Sequence, residues 1–291
     1  MQNLQKAALD GLLKIKRESR DLPIVIIVGL PLVKGNNLYN CAAVLCKGKI
    51  LGIVPKSNIP NHHEFYERRW VTPANIGYFQ TITIEKEEIP FSSELVFQNE
   101  DSSLFSFGIE IGEALWSVIP PSCKMANNGA LMFFNLSASD ITAAKNDYCY
   151  DLVKMQSAKL YAGYVYCNAS AAESTSDMVF DGKCLIFENG KCLAENESLG
   201  LGKTSVIYGE IDLQRLNAQR LQNNNTCMVE NADKYKIFFR LENKNFIQER
   251  VEYCHPFIPA DKNALARRCE EILSIQSAAL ARRLETLRYP K

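Results

Sequence analysis

The stretch Gly108-Ile-Glu-Ile-Gly-Glu-Ala-Leu-Trp116 closes an apolar run that begins at Phe105, and the run breaks at a glycine. Phe105 to Ile111 reads as a strand, with Gly112 at its tip. Toward the C-terminus, Leu131 to Phe134 reads as a further strand, followed by a helix from about Thr142 to Tyr161. Tyr164 to Asn168, Cys184 to Phe187 and Lys191 to Ala194 read as strands, the last two joined at Asn189-Gly190, a strong hairpin signal. Val206 to Ile211 and Lys236 to Arg240 complete the expected β content, and Gln222 to Asn231 is a polar loop. Toward the N-terminus, Cys41 to Cys46 and Ile50 to Val54 form a hairpin through Lys47-Gly48-Lys49. Ile24 to Val28, opened by Pro23, is a continuous β-branched run that predicts a strand covered on both faces. Leu4, Ala7, Ala8, Leu12 and Leu13 recur at helical spacing up to about Arg20, and a closing helix spans Lys262 to Arg288. Strands alternating with helices, together with hairpins, predict a layered α/β domain.

Composition narrows the function classes. The 291 residues are 47% hydrophobic, enough to bury a large core. Lys plus Arg and Asp plus Glu number 33 each, so no net charge draws the chain to nucleic acid or to a membrane surface. The longest apolar run, Leu22 to Val33, is interrupted by Pro23, Gly29 and Pro31 and is too short to span a bilayer. Met1 to Arg20 is amphipathic and carries no secretory signal. Of the ten cysteines, Cys41, Cys46, Cys167 and Cys184 lie in apolar strand-like runs and read as small buried hydrophobes. No zinc-ligand spacing occurs, and reduced thiols fit a cytoplasmic setting.

A series of blocks carries a family resemblance. Val28-Gly-Leu-Pro-Leu32, Leu38-Tyr-Asn-Cys-Ala-Ala-Val44, Gly48 to Lys56 and Pro60-Asn-His-His-Glu-Phe-Tyr-Glu-Arg-Arg69 come first. After Gly108 to Trp116 follow Asn135-Leu-Ser-Ala-Ser139, Gln156-Ser-Ala158, Ala162 to Tyr166, Glu173-Ser-Thr175, Glu188-Asn-Gly190, Pro256 to Asp261 and Ile275-Gln276. In this order the blocks resemble the glutaminase domain of glutamine-dependent NAD synthetase, a carbon–nitrogen hydrolase of the nitrilase-like kind. The resemblance implies an αββα sandwich, two stacked mixed sheets flanked by helices, shortened by its first strand–helix unit. It implies a glutaminase domain over residues 1–260 and, over 261–291, a helical linker of the kind that leads to a synthetase domain.

Amide cleavage by this family needs a thiolate nucleophile, a glutamate to shuttle the proton and a lysine to stabilise the oxyanion. Lys56 matches the lysine; by itself it reads as a solvent-facing residue at a strand end. Gly112 stands where the family has its cysteine. A nucleophile at a strand tip sits in a strained turn, and glycine accepts such dihedrals while supplying no side chain. The family's proton-shuttling glutamate has no match in the chain. Glu113, Ser139 and Lys145 keep substrate-contact positions, although each reads equally well as a structural hydrogen-bonder. His62 replaces a glutamine-contacting tyrosine, Ala114 replaces an aspartate, and Ala169-Ser-Ala-Ala172 replaces a glycine-rich approach to Glu173. Glu64 and Glu67 match the region of a second glutamate that positions the lysine, or else belong to an ordinary charged loop. His62-His63, lacking a third ligand pattern, reads as loop rather than metal site.

The resemblance therefore implies descent from a domain that releases ammonia from glutamine for amidation of deamido-NAD, with the chemistry disabled at Gly112. The alternatives are a non-enzymatic interaction or oligomerisation module, and one piece of a split synthetase. Implied partners are glutamine, further copies of the chain, and a synthetase domain. The closing helix, with Leu265, Ile272, Leu273, Ile275, Ala278, Leu280 and Leu284, offers an apolar face for such association. No cofactor is implied for this domain; ATP, Mg and deamido-NAD would serve the synthetase.

Overall fold

The computed structural model describes residues 2–170, 172–173, 178–196, 205–224, 227, 232–242, 249–250, 255, 258–259 and 261–287. Of the sequence expectations, parts of the Gln222 to Asn231 loop, Ala171, Ser174-Thr175, Pro256-Phe257, Ala260 and Arg288 lie outside those residues. The chain divides into two units, residues 1–246 and 247–291.

The larger unit opens with helix α1 (Gln2–Glu18), then β1 (Val25–Lys34), β2 (Asn37–Cys46) and β3 (Lys49–Pro55). With β4 (Gln80–Ile84) and β5 (Glu87–Phe91) these strands form a five-stranded sheet ordered β1-β2-β3-β5-β4. All its pairings are antiparallel except β3 with β5. The second sheet has seven strands: β6 (Val96–Asn99), β7 (Ser106–Ile111), β8 (Met132–Ser137), β9 (Gly163–Asn168), β10 (Cys184–Glu188), β11 (Lys191–Glu195) and β12 (Lys236–Phe239). Its order is β11-β10-β9-β8-β7-β6-β12, with β7, β8 and β9 parallel at the centre. Helices α2 (Pro121–Asn127), α3 (Lys145–Lys159) and α4 (Leu213–Asn223) complete the unit.

Three apolar clusters define the layers. Leu12 of α1 packs with Leu30, Leu32 and Ile89 on one face of the first sheet. Val44, Val54, Phe97, Phe107, Ile109 and Phe239 fill the space between the sheets, with Phe97 and Phe107 stacked at 5.1 Å. Phe133, Tyr164 and Phe187 meet Met125 and Val153 on the far face of the second sheet. The result is the expected αββα sandwich. Strand β2 shows why its sequence is apolar throughout. Cys41, Ala43 and Leu45 face the helix-side core, while Ala42, Val44 and Cys46 face the opposite sheet. The hairpin between β10 and β11 turns at Asn189-Gly190, both at positive φ (43° and 79°), as its dipeptide requires.

Strand β1 is covered on both faces as expected, with Ile26 and Val28 against the helix-side core and Val25 and Ile27 against the inter-sheet core, each partly buried. It pairs only with β2 and lies at the sheet edge, which is where a ladder tolerates Pro31. Other expectations need correction. Val206 to Ile211 is not a strand. Val206 and Tyr208 are exposed, and the segment packs where glycine leaves room: Ile211 sits over Gly163, and Gly209 lies against Ile186. Cys41 and Cys46 are buried, but Cys167 is exposed and Cys184 half-buried. The inter-sheet cluster draws on β6, β7, β8 and β12 and on no residue of β9 or β10, so that face of β9 and β10 is not covered by it. Strands β4, β5 and β6 and helices α2 and α4 were not foreseen, although the alternation of Ile82 and Ile84 in β4 was legible.

In the smaller unit, α5 (Lys262–Thr286) starts where the sequence placed it, with the Asp261 side chain accepting a 2.7 Å hydrogen bond from the Ala264 N–H. Among the described residues no helix is long and apolar enough to cross a membrane.

Candidate functional site

Three strand ends from the two sheets converge on one cavity of about 490 Å³: β3 delivers Lys56, β7 delivers Gly112 and β8 delivers Ser137. Lys56 is 8% exposed, so the solvent-facing reading fails. Its backbone is pinned on both sides, N–H to the Asn40 carbonyl at 2.8 Å and carbonyl to the Ala74 N–H at 2.9 Å. Its ammonium donates to Glu67 Oε2 at 2.5 Å, and Asn40 Nδ2 donates to the other oxygen, Glu67 Oε1, at 2.7 Å. A buried ammonium needs such a partner, and this triad fixes its position in the cavity.

Gly112 has φ +50°, the left-handed region a side chain adopts only at a cost. Asn135 on β8 holds the turn: Oδ1 accepts from the Gly112 N–H at 3.1 Å, and Nδ2 donates to the Gly112 carbonyl at 3.4 Å. Asn135 is itself seated on a buried network. Its Nδ2 donates to the Tyr164 hydroxyl at 3.3 Å, that hydroxyl donates to Glu110 Oε1, and the Ser122 N–H donates to Glu110 Oε2 at 3.0 Å. A Cβ added at Gly112 would lie 3.6 Å from Lys56 Nζ and 3.8 Å from Ser137 Oγ, ordinary contact distances. The space beside Gly112 would therefore admit a small side chain directed at the lysine, although the backbone at φ +50° is one that side chains adopt only at a cost.

Burial raises the Glu110 carboxyl above its usual range against the opposing bonds from Tyr164 and Ser122, and burial beside Glu110 pushes the Tyr164 phenol well up. A carboxyl raised on folding contributes stability that is present below its unfolded value of about 4.3 and is lost as pH rises through the folded value. Replacing Glu110 with glutamine is expected to remove that part of the pH slope in denaturant titrations. An unchanged slope would show that Glu110 does not titrate on unfolding.

At the cavity mouth, His62 Nε2 and Glu113 Oε1 lie 3.3 Å apart. The Lys145 ammonium binds Asp140 and lies 5.8 Å from the Phe65 ring centroid and 5.7 Å from that of Trp116. Burial works to raise the Asp140 carboxyl, but hydrogen bonds to Lys145 and Glu64 outweigh it and hold Asp140 below its usual range. The Ser139 backbone is clamped by Asn168, whose Oδ1 accepts from its N–H at 2.8 Å and whose Nδ2 donates to its carbonyl at 2.9 Å.

Lys56, Glu64, Glu67, Gly112, Glu113 and Ser139 thus all line the cavity, with His62 attached through Glu113 and Lys145 over two of its aromatic walls. Sequence reasoning did not single out Asp140, Asn135, Asn40 or Ser137. Asn40 and Asn135 stood inside quoted blocks, but only contacts across strands reveal what they hold.

No protein-family model matches the sequence. Glutamine-dependent NAD(+) synthetase of Mycobacterium tuberculosis is 36% identical over 299 aligned residues, covering 99% of this chain and 43% of that protein. The chain is related to the glutaminase part of glutamine-dependent NAD synthetases. It spans less than half the length of these NAD synthetases. The crystal structure of a glutamine-dependent NAD(+) synthetase from Cytophaga hutchinsonii is 26% identical, with a TM-score of 0.60 over 69% of this chain and 32% of that one. A carbon–nitrogen hydrolase from Helicobacter pylori, 19% identical with a TM-score of 0.59, covers 76% of this chain and 73% of its own, which shows the shared fold. The fold is that of the nitrilase-like carbon–nitrogen hydrolases.

Proposed function

We propose that this chain is a glutaminase-type domain that does not cleave the glutamine amide. The observation behind the proposal is Gly112. It occupies a strand-tip turn at φ +50° that aims into the cavity at a buried lysine, and it has no atom with which to attack a carbonyl carbon. Lys56, placed to stabilise an oxyanion, has no tetrahedral intermediate to act on. Glu113 and Ser139 in the cavity lining, with His62 and Lys145 beside it, offer polar groups for the ends of an amino acid, and the relatives' name makes glutamine the small molecule of this reading. In this reading the ancestral role is the one in the relatives' name, glutamine-dependent synthesis of NAD(+), and a synthetase domain is the natural partner.

Loss of a nucleophile removes several orders of magnitude in turnover. Purified 291-residue protein incubated with glutamine is expected to release no ammonia above a buffer control. Release that disappears in Lys56→Ala would overturn the proposal, because it would place a working amidase in this cavity.

A further inference from the structure

Outside the cavity, one pair of reactive groups is brought together by strand register. Cys167 of β9 stands opposite Cys184 of β10 in an antiparallel ladder. The neighbouring Asn168 N–H donates to the Lys183 carbonyl at 2.9 Å, whereas the Cys184 N–H turns the other way, to Asn196 Oδ1 at 2.6 Å. Cys167 and Cys184 therefore form a non-hydrogen-bonded pair, the class whose Cα atoms approach to about 4.5 Å, within the span a disulfide bridges. Their sulfurs lie 3.7 Å apart, with the Cys184 thiol donating to Cys167. Cys167 is exposed and reachable by solutes.

We propose that Cys167 and Cys184 are a peroxide-responsive dithiol that closes to a cross-strand disulfide. The Cys167 thiolate, its proton given to solvent, attacks one oxygen of hydrogen peroxide. The O–O bond breaks, Cys167 becomes a sulfenic acid, and the departing hydroxide takes up a proton to leave as water. Cys184 then loses its proton and attacks the Cys167 sulfur. The S–O bond breaks, the S–S bond forms, and the hydroxide leaves with that proton as a second water. Two thiols lose two electrons and one peroxide is reduced to two waters.

The order of attack follows from the contact. The hydrogen bond from Cys184 favours the Cys167 thiolate and draws its pKa down to about 7, while the same contact and burial push Cys184 up. The exposed partner is thus the nucleophile and the half-buried one resolves it. The two sulfurs need only close from 3.7 Å to the disulfide bond length of about 2.05 Å.

The test treats the intact chain with hydrogen peroxide, quenches with an alkylating agent and maps peptides without reduction. The expected result is loss of two hydrogen atoms, one cross-link joining the Cys167 and Cys184 peptides, and its reversal by dithiothreitol. In Cys184→Ser a dimedone adduct on Cys167 is expected in place of the cross-link, and in Cys167→Ser neither product forms. The wild-type map requires no variant to fold. First oxidation at Cys227 (also exposed) or at any other cysteine would overturn the proposal. So would conversion of Cys167 to a sulfinic acid without a cross-link, or no oxidation at all.

Discussion

Gly112→Cys is expected to create a thiol that alkylates faster than an unperturbed cysteine and still to turn over no glutamine. The new Cβ would sit 3.6 Å from the Lys56 ammonium. A thiol of ordinary pKa, about 8.5, is mostly protonated at neutral pH, and an adjacent cation brings it into the range of about 3.5–7.5. At pH 7 the thiolate fraction, and with it the alkylation rate, should rise by roughly tenfold or more over an unperturbed cysteine. The substitution is expected to cost about 1–2 kcal/mol of stability, because residue 112 has φ +50°. Turnover is another matter. Cleavage must also protonate the leaving ammonia, and the cavity carboxylates are already engaged: Glu67 by Lys56 and Asn40, Glu64 by Asp140, Glu113 by His62. Iodoacetamide kinetics and mass spectrometry after incubation with glutamine decide both halves. A slow, ordinary thiol would show that Lys56 does not govern the position. A glutamyl thioester, or sustained ammonia release, would show that no further proton shuttle is needed.

Arg220→Ala is expected to cause the largest loss of stability of any single substitution on α4. Arg220 is buried, and its guanidinium reaches the C-terminal ends of two other helices. Nη1 donates to the Ala130 carbonyl at 2.9 Å and the Ala126 carbonyl at 3.4 Å, beside the end of α2. Nη2 donates to Leu160 at 2.7 Å and Tyr161 at 3.4 Å, beyond the end of α3. Helix C-termini carry unpaired carbonyls and partial negative charge, so a planar cation that forks between two of them satisfies both. Burial lowers the Arg220 pKa to about 10, which leaves it charged at neutral pH. At about 1–3 kcal/mol for each buried carbonyl left without its donor, losing the two short bonds should cost about 2–6 kcal/mol. The thermal midpoint should fall by roughly 10 °C. Arg220→Lys keeps the charge but not the fork and should fall between. If Arg220→Ala melted with the parent, the helix ends would have to be satisfied without it.

What the chain determined locally was legible. Pattern and turn chemistry placed β2, β3, β7, β8, β9, β10, β11 and the helices α1, α3 and α5, because these segments carry apolar periodicity bounded by turn residues. The glycine at a strand tip, with its flanking blocks, pointed to the site and to the family. Only the tertiary structure decided the rest. Whether β1 was central or at an edge depended on which strand lay beside it, and a β-branched run reads the same in both places. Helix α4 was hidden because Arg220 occupies a buried position on its inner face, one turn after Leu216, and breaks the apolar pattern. Four cysteines in similar apolar runs separated into two buried and two accessible, because the packing between the sheets stops short of β9 and β10. The cavity followed the same rule. Sequence supplied Lys56, Glu67, Gly112 and Ser139 as separate positions, and only the meeting of β3, β7 and β8 put an ammonium within reach of an empty place for a side chain.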